Sequence, residues 1–382
     1  MLLSCHDLPS LFSSKLVSMG ILFNVKKMYP LVSFYYILDM NSFESFIQTP
    51  AQLLIVFFLT VVVTVISGVR LSQLGDALAE RLQLDAGIIG ALFLAAVTSL
   101  PELAVSLSAL LREPIQLGPD LAVGNMLGSN LFNLLILGIV SVLFSKTIAK
   151  QNQPTLHRRT LWQSLLLLLL AYVAFSIPFS RQSIVPLLHC SWLLLPLPII
   201  YGWCMVQNRE ATDAEHVSAA QSPLAQQSAV RFYSSLISLS LIIILAGVLL
   251  SSLGGRMALP ANEGGLGLQA SLIGTLFLAL ATSLPELVIA VASLRFGFAD
   301  MALGNILGSN LFNLLILFVG DVALRQELLF EHTGSSHGLS FLFILTLSLM
   351  ALGLLRTTQP KKAKLLGSVM VLTYLISLLI QS

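Results

Sequence analysis

Charge is what this sequence has least of, and its scarcity excludes most protein classes. Asp, Glu, Lys and Arg make up 10% of the 382 residues, against 56% hydrophobic residues, and the mean hydropathy is +0.89. Soluble globular domains carry about 25% charged residues, so that class is ruled out. A formal charge of +2 offers no basic surface for nucleic acid. Cysteine is equally scarce: Cys5, Cys190 and Cys204 show neither pairing nor metal-ligand spacing. None of the six histidines lies in the repeated blocks described below. His157, His189, His216, His332 and His337 fall in or beside predicted loops, where ordinary interfacial histidines are expected. No H-E-x-x-H occurs. Gly334-Ser335-Ser336-His337-Gly338 matches G-x-S-x-G without a strand before it, and Gly265-Leu266-Gly267 with Ala270 matches a dinucleotide fingerprint without a βαβ unit. Neither an enzyme nor a resident cofactor is expected.

Long apolar runs fill what is left. A hydrocarbon core of about 30 Å takes about 20 residues of helix. Ten such runs follow residue 50: about Ala51–Val69, Ala86–Leu110, Leu121–Leu143, Leu161–Ile177, Ile184–Val206, Phe232–Leu253, Gln269–Leu294, Met301–Leu324, Leu339–Leu355 and Leu365–Ile380. The expected fold is an all-α polytopic membrane protein. Residues 1–50 read as an N-terminal extension. Their apolar stretches Leu16–Val25 and Leu31–Leu38 are too short to span and are separated by Lys26 and Lys27, so a start at Met40 fits at least as well as a signal peptide. Residues 207–231, rich in Gln, Ser, Ala and Glu, are a solvated linker too short for a domain.

Inside two of the runs sits the same pentapeptide, Thr98-Ser99-Leu100-Pro101-Glu102 and Thr282-Ser283-Leu284-Pro285-Glu286. A carboxylate at the centre of a bilayer helix costs roughly 2.5–3.5 kcal/mol on insertion scales, so intramembrane acids read as functional. Each proline removes a backbone donor and frees a carbonyl one turn earlier, near Val97 and Ala281. Carboxylates beside free carbonyls suit a hard cation.

The pentapeptides belong to a larger internal repeat. Thirteen of fourteen positions are identical between 124–137 and 304–317, and eleven of fourteen between 90–103 and 274–287. Five helices separate equivalent positions. Because five is odd, the second copy enters the membrane from the opposite side, giving two inverted five-helix repeats, 51–206 and 232–382, related by a pseudo-two-fold axis in the membrane plane. Loop charge agrees: placing the loops after helices 1, 3, 5, 7 and 9 in the cytoplasm puts thirteen Lys/Arg inside and leaves Arg112, Arg181, Arg256 and Arg325 outside. The linker is then cytoplasmic, and both termini of the ten-helix core face outward across the cell membrane.

Inversion brings Glu102 and Glu286 together near the midplane. Two close carboxylates repel unless a cation sits between them, and calcium takes six to eight oxygens in irregular geometry. The hydroxyls of Thr98, Ser99, Thr282 and Ser283 add donors. Ser129 with Asn133, and Ser309 with Asn313, are four apart and share a helix face. Gly124 and Gly128, like Gly304 and Gly308, permit close helix approach. For Asn130 and Asn310, helix-to-helix hydrogen bonding is the competing role.

Paired TSLPE and GNxLGSNLFN blocks in inverted repeats resemble the alpha repeats of the cation/calcium exchanger superfamily, specifically its sodium/calcium exchanger branch. The resemblance implies alternating-access exchange of calcium for sodium. It implies that Glu102 and Glu286 are shared by both ions, that Thr98 and Thr282 give carbonyls, and that Ser99, Ser283, Ser129, Ser309, Asn133 and Asn313 line sodium sites. Proton-coupled relatives typically carry a Glu in the GN block, where this chain has Gly128-Ser129 and Gly308-Ser309. Potassium-dependent ones carry Asp where Asn313 stands. The expected partners are therefore calcium, sodium and the lipid bilayer, with calcium/proton antiport as the alternative and a cation channel further behind. An intramembrane protease has no support, since neither Glu has an Asp or His within its motif.

Overall fold

The computed structural model describes residues 49–81, 97–150, 154–177, 191–210, 223–324 and 327–381, all within the unit Thr49–Ser382. The extension 1–48, residues 82–96 at the start of the second expected span, residues 178–190 with Pro186, and 211–222 of the linker lie outside the described residues. The helices are α1 (Pro50–Arg81), α2 (Leu100–Arg112), α3 (Gly118–Leu143), α4 (Pro154–Ser176), α5 (Pro196–Glu210), α6 (Ala229–Ala258), α7 (Ala279–Arg295), α8 (Ala299–Leu324), α9 (His337–Leu354) and α10 (Pro360–Gln381). Eight helical stretches among the described residues are long and apolar enough to cross a membrane. The expected spans outside that set are the second and fifth, described only over α2 and α5.

Helices α3 and α8 form the centre. Helix α3 packs against α2, α7, α8, α9 and α10, and α8 against α2, α4, α5 and α7. On α3 small residues make this possible, whereas Gly304 of α8, expected to permit close helix approach, has nothing within 4 Å of an added Cβ. A Cβ on Gly124 would lie 2.9 Å from the Gly274 Cα and the Ser271 carbonyl, and one on Gly128 would lie 2.3 Å from the Thr275 carbonyl. The facing backbone, Ile273–Leu278, is π-helical, a form that recurs at functional sites. Helices α1 and α6 pack against each other on the outside of this centre. Both turn large apolar side chains outward, among them Ile55, Phe58, Leu59, Ile237 and Leu241, as lipid contact requires.

Two expected boundaries shift. The first run was expected to end near Val69, but α1 continues to Arg81. Its polar last turns are held by Arg81, which donates to the carbonyls of Ala225, at 2.9 Å, and Gln227, and lies 4.2 Å over the Phe232 ring. Leu224 and Ala225, at the end of the segment read as solvated linker, pack on the buried cluster of Leu74, Ala77, Leu78 and Phe232. The sixth run was expected to end near Leu253, but Gly254 and Gly255 continue the helix in the last turns of α6. There Gly255 lies so close to the Glu113 carboxylate that an added Cβ would come within 2.2 Å of it. The turn follows, with left-handed backbone at Gly264 (φ 79°) and Gly267 (φ 66°).

Candidate functional site

The same pentapeptide takes two backbone forms. Around the first copy the chain turns at Ser99 and α2 starts at Leu100, so Pro101 falls in the first turn, where its missing N–H has no intrahelical partner to lose. The second copy lies inside α7 with Pro285 in mid-helix, the arrangement that frees the carbonyl one turn back. The freed-carbonyl expectation therefore applies to the Ala281 side, and not to the Val97 side, because Pro101 opens a helix and interrupts none.

All ten candidate ligand residues are buried: Thr98, Ser99, Glu102, Ser129, Asn133, Thr282, Ser283, Glu286, Ser309 and Asn313 are each at most 1% exposed. Ser283 Oγ donates to Glu102 Oε1 at 2.9 Å. The Glu286 carboxylate lies beside the Thr98 and Ser309 hydroxyls. Neither Glu286 oxygen completes a hydrogen bond among the described residues. The same holds for Ser99 Oγ and for both side-chain polar atoms of Asn133 and of Asn313. Asn130, with both amide atoms unpartnered, and Asn310, with its oxygen unpartnered, do not act as hydrogen-bonded glue through those atoms.

Cross-repeat contacts are reciprocal. Thr98 Oγ1 lies 3.4 Å from Asn305 Oδ1 and 3.3 Å from Ser309 Oγ. Its counterpart Thr282 Oγ1 lies 3.3 Å from Asn125 Oδ1 and 3.4 Å from Ser129 Oγ. Asn125 and Asn305, the first asparagines of the GN blocks, are thus part of the site, although the sequence reading passed over them. Their identity within the repeat was the available signal. Asn125 Nδ2 also donates to the Glu102 carbonyl at 3.2 Å and to Ser106 Oγ at 2.9 Å. The residue equivalent to Ser106 is Ala290, and Asn305 Nδ2 is unpartnered.

Three further polar groups were missed. Asp321, fully buried on α8, accepts from the backbone N–H groups of Ser191 at 2.5 Å and Leu329 at 2.6 Å, which makes it an anchor for two loops. His157 and His337 are not ordinary interfacial histidines, because they are 2% and 1% exposed and pair with Asp300 at 2.8 Å and Asp120 at 3.1 Å. Elsewhere among the described residues, Glu327, Glu331 and His332 gather on an exposed loop.

A bundle of apolar helices around two buried carboxylates, with neutral oxygens unpartnered among the described residues, is the architecture of a multi-pass membrane protein with a polar centre. The sodium/calcium exchanger protein family model matches residues 52–208 and again 226–382, and the chain belongs to that family. The inner membrane protein YrbG of Escherichia coli K12 is 34% identical over 239 residues, covering 60% of this chain and 67% of YrbG. The crystal structure of the H+/Ca2+ exchanger CAX superposes with a TM-score of 0.65 at 16% identity, covering 94% of this chain and 91% of CAX. The sodium-calcium exchanger NCX_Mj, soaked with sodium and strontium, gives 0.54 at 23% identity, covering 84% and 96%. Family membership makes this chain a multi-pass membrane antiporter. At these identities the two solved structures speak for the fold and leave the counter-ion open.

Proposed function

We propose that this protein exchanges calcium for sodium by alternating access. Both ions use Glu102 and Glu286, with Thr98, Thr282, Ser99, Ser283, Ser129, Ser309, Asn133 and Asn313 as neutral donors. The observation that carries the reading is the pair of buried carboxylates, one per repeat, with Glu102 Oε2, both Glu286 oxygens and the amide oxygens of Asn133 and Asn313 unpartnered among the described residues. Such groups are costly in a bilayer unless a cation pairs with them. Two carboxylates balance one calcium or two sodium ions. A third sodium would leave the site at +1, which the oxygens of Asn133 and Asn313 solvate without neutralising. Shared ligands make occupancy exclusive, and access from one face at a time converts exclusion into antiport.

Calcium/proton exchange is the second reading, which the fold shared with the H+/Ca2+ exchanger CAX keeps open. Against it stands the shortage of a proton relay among the described residues: Asp321 on α8 is occupied by two backbone donors, and the buried His157 and His337 are engaged by Asp300 and Asp120. In proteoliposomes an opposing sodium gradient should drive accumulation of radioactive calcium without potassium, and a pH gradient alone should do little. Uptake that follows pH and ignores sodium overturns sodium coupling in favour of the proton reading.

The inverted arrangement places both core termini outside the cell membrane. Cysteines at the exposed positions Glu263 and Lys361 test it. An impermeant thiol reagent applied from outside should label the first and miss the second, and the reverse pattern sinks the assignment.

A further inference from the structure

Four residues outside the candidate site form a second reciprocal set. Asp120 lies in the first turn of α3 and Asp300 in the first turn of α8, 180 residues apart. His157 on α4 and His337 at the start of α9 are also 180 residues apart, the offset of the GN blocks. Each histidine crosses to the other repeat: His337 Nε2 lies 3.1 Å from Asp120 Oδ1, and His157 Nε2 lies 2.8 Å from Asp300 Oδ1. The His337 and His157 side chains are 1% and 3% exposed, their aspartates 20% and 28%. Asp120 also accepts from the Gly334 N–H at 2.7 Å. An Asp in a first helical turn favours the helix dipole on its own, but these carboxylates bond to groups on other segments, which self-capping does not require.

We infer that His337–Asp120 and His157–Asp300 are a matched pair of clamps, and that their four side chains are positioning residues for the cation site. The reason lies in helix geometry. Asn125, Ser129 and Asn133 follow Asp120 by 5, 9 and 13 residues, which places them about 140° to 220° round α3 and about 8, 14 and 20 Å along it. Asn305, Ser309 and Asn313 stand in the same relation to Asp300. Each clamp therefore grips the back of a helix whose front carries the ion's neutral donors. A helix about 5–6 Å in radius that rolls by 20° moves its outer atoms by about 2 Å. Calcium–oxygen distances span only about 2.3–2.6 Å. Fixing the roll of α3 and α8 therefore fixes whether Ser129, Asn133, Ser309 and Asn313 reach the ion. On the inverted arrangement proposed above, one clamp faces each side of the membrane.

The test separates positioning from mere support. His337→Gln and His157→Gln keep an N–H where Nε2 stood, whereas His337→Leu and His157→Leu fill the space without a donor. The apparent KM for calcium should rise about 10-fold in the leucine variants, as for supporting groups behind other metal ligands, and stay near the parent value in the glutamine variants. A lowered Tm with unchanged KM in the leucine variants overturns the inference. If those variants do not accumulate in the membrane, Asp120→Asn and Asp300→Asn replace them. They should raise KM in the same way, and an unchanged KM again overturns the inference. His332→Gln, on the exposed loop, is the neutral control. Uptake can be run under whichever gradient drives the parent protein, so a proton-coupled result refutes sodium coupling and leaves the clamps under test. Calcium-dependent thermal stabilisation of the purified protein reads the same affinity without any gradient, and leucine variants that bind like the parent refute the clamps there too.

Discussion

Glu102 receives the Ser283 hydroxyl at 2.9 Å, while among the described residues neither Glu286 oxygen completes a hydrogen bond and the matching hydroxyl, Ser99 Oγ, has no partner either. Asn125 is tied at both ends, to Thr282 and to Ser106, while the Asn305 amide nitrogen is loose. Gly334 gives Asp120 a backbone N–H, and the residue 180 positions earlier is Pro154, which has no N–H to give. The repeats are almost identical at the candidate ligands and differ one or two turns away. Two small differences, Ser106 against Ala290 and a chain turn against an unbroken helix at the proline, accompany one half of the site with more protein donors among the described residues than the other. A site that releases one ion and accepts another has use for both: a fixed wall and a wall that re-forms around its cargo.

The comparison breaks at once if the carboxylates prove unequal in kind. Glu102→Gln and Glu286→Gln should each abolish calcium uptake while leaving expression intact, because an amide keeps an oxygen but loses the charge that offsets calcium's desolvation. Uptake near the parent rate in either variant removes that residue from the site.

Packing gives the next largest effect. Gly128→Ala drives a methyl to within 2.3 Å of the Thr275 carbonyl and 2.7 Å of the Ala279 Cβ. Overpacking of this kind costs about 1–3 kcal/mol or more, and the variant should lose folded protein as read by fluorescence-detected gel filtration. Gly202→Ala, with nothing within 4 Å, should not.

Smaller changes should exchange the character of the two halves. Ser106→Ala loosens Asn125 and should destabilise by about 1 kcal/mol, the usual net value of a hydrogen bond. Ala290→Ser offers Asn305 the partner it lacks and should raise Tm by a few degrees while slowing exchange. Shifts of the same sign in both variants would show that the tied and open halves do not differ in the way described.

Much was legible in the sequence because a bilayer makes the code stringent. Scarce charge and long apolar runs fix helices, intramembrane Glu102 and Glu286 announce a task, and the four-residue spacing inside two almost identical blocks puts Ser129 with Asn133, and Ser309 with Asn313, on one helix face. Folding decided what periodicity cannot express. Whether Pro101 opens a helix and Pro285 interrupts one depends on what packs against each, as Gly68 does where an added Cβ would lie 2.7 Å from Pro285. That Asn125 and Asn305 join the site, and that the buried His157 and His337 pair with Asp300 and Asp120, follows from contacts about 140 to 220 residues apart in the chain. Sequence set the chemistry available to each half. Only the tertiary structure determined which donors reach which acceptors, because hydrogen bonds form over about 3 Å and a single serine-to-alanine difference behind the site decides whether an amide is held.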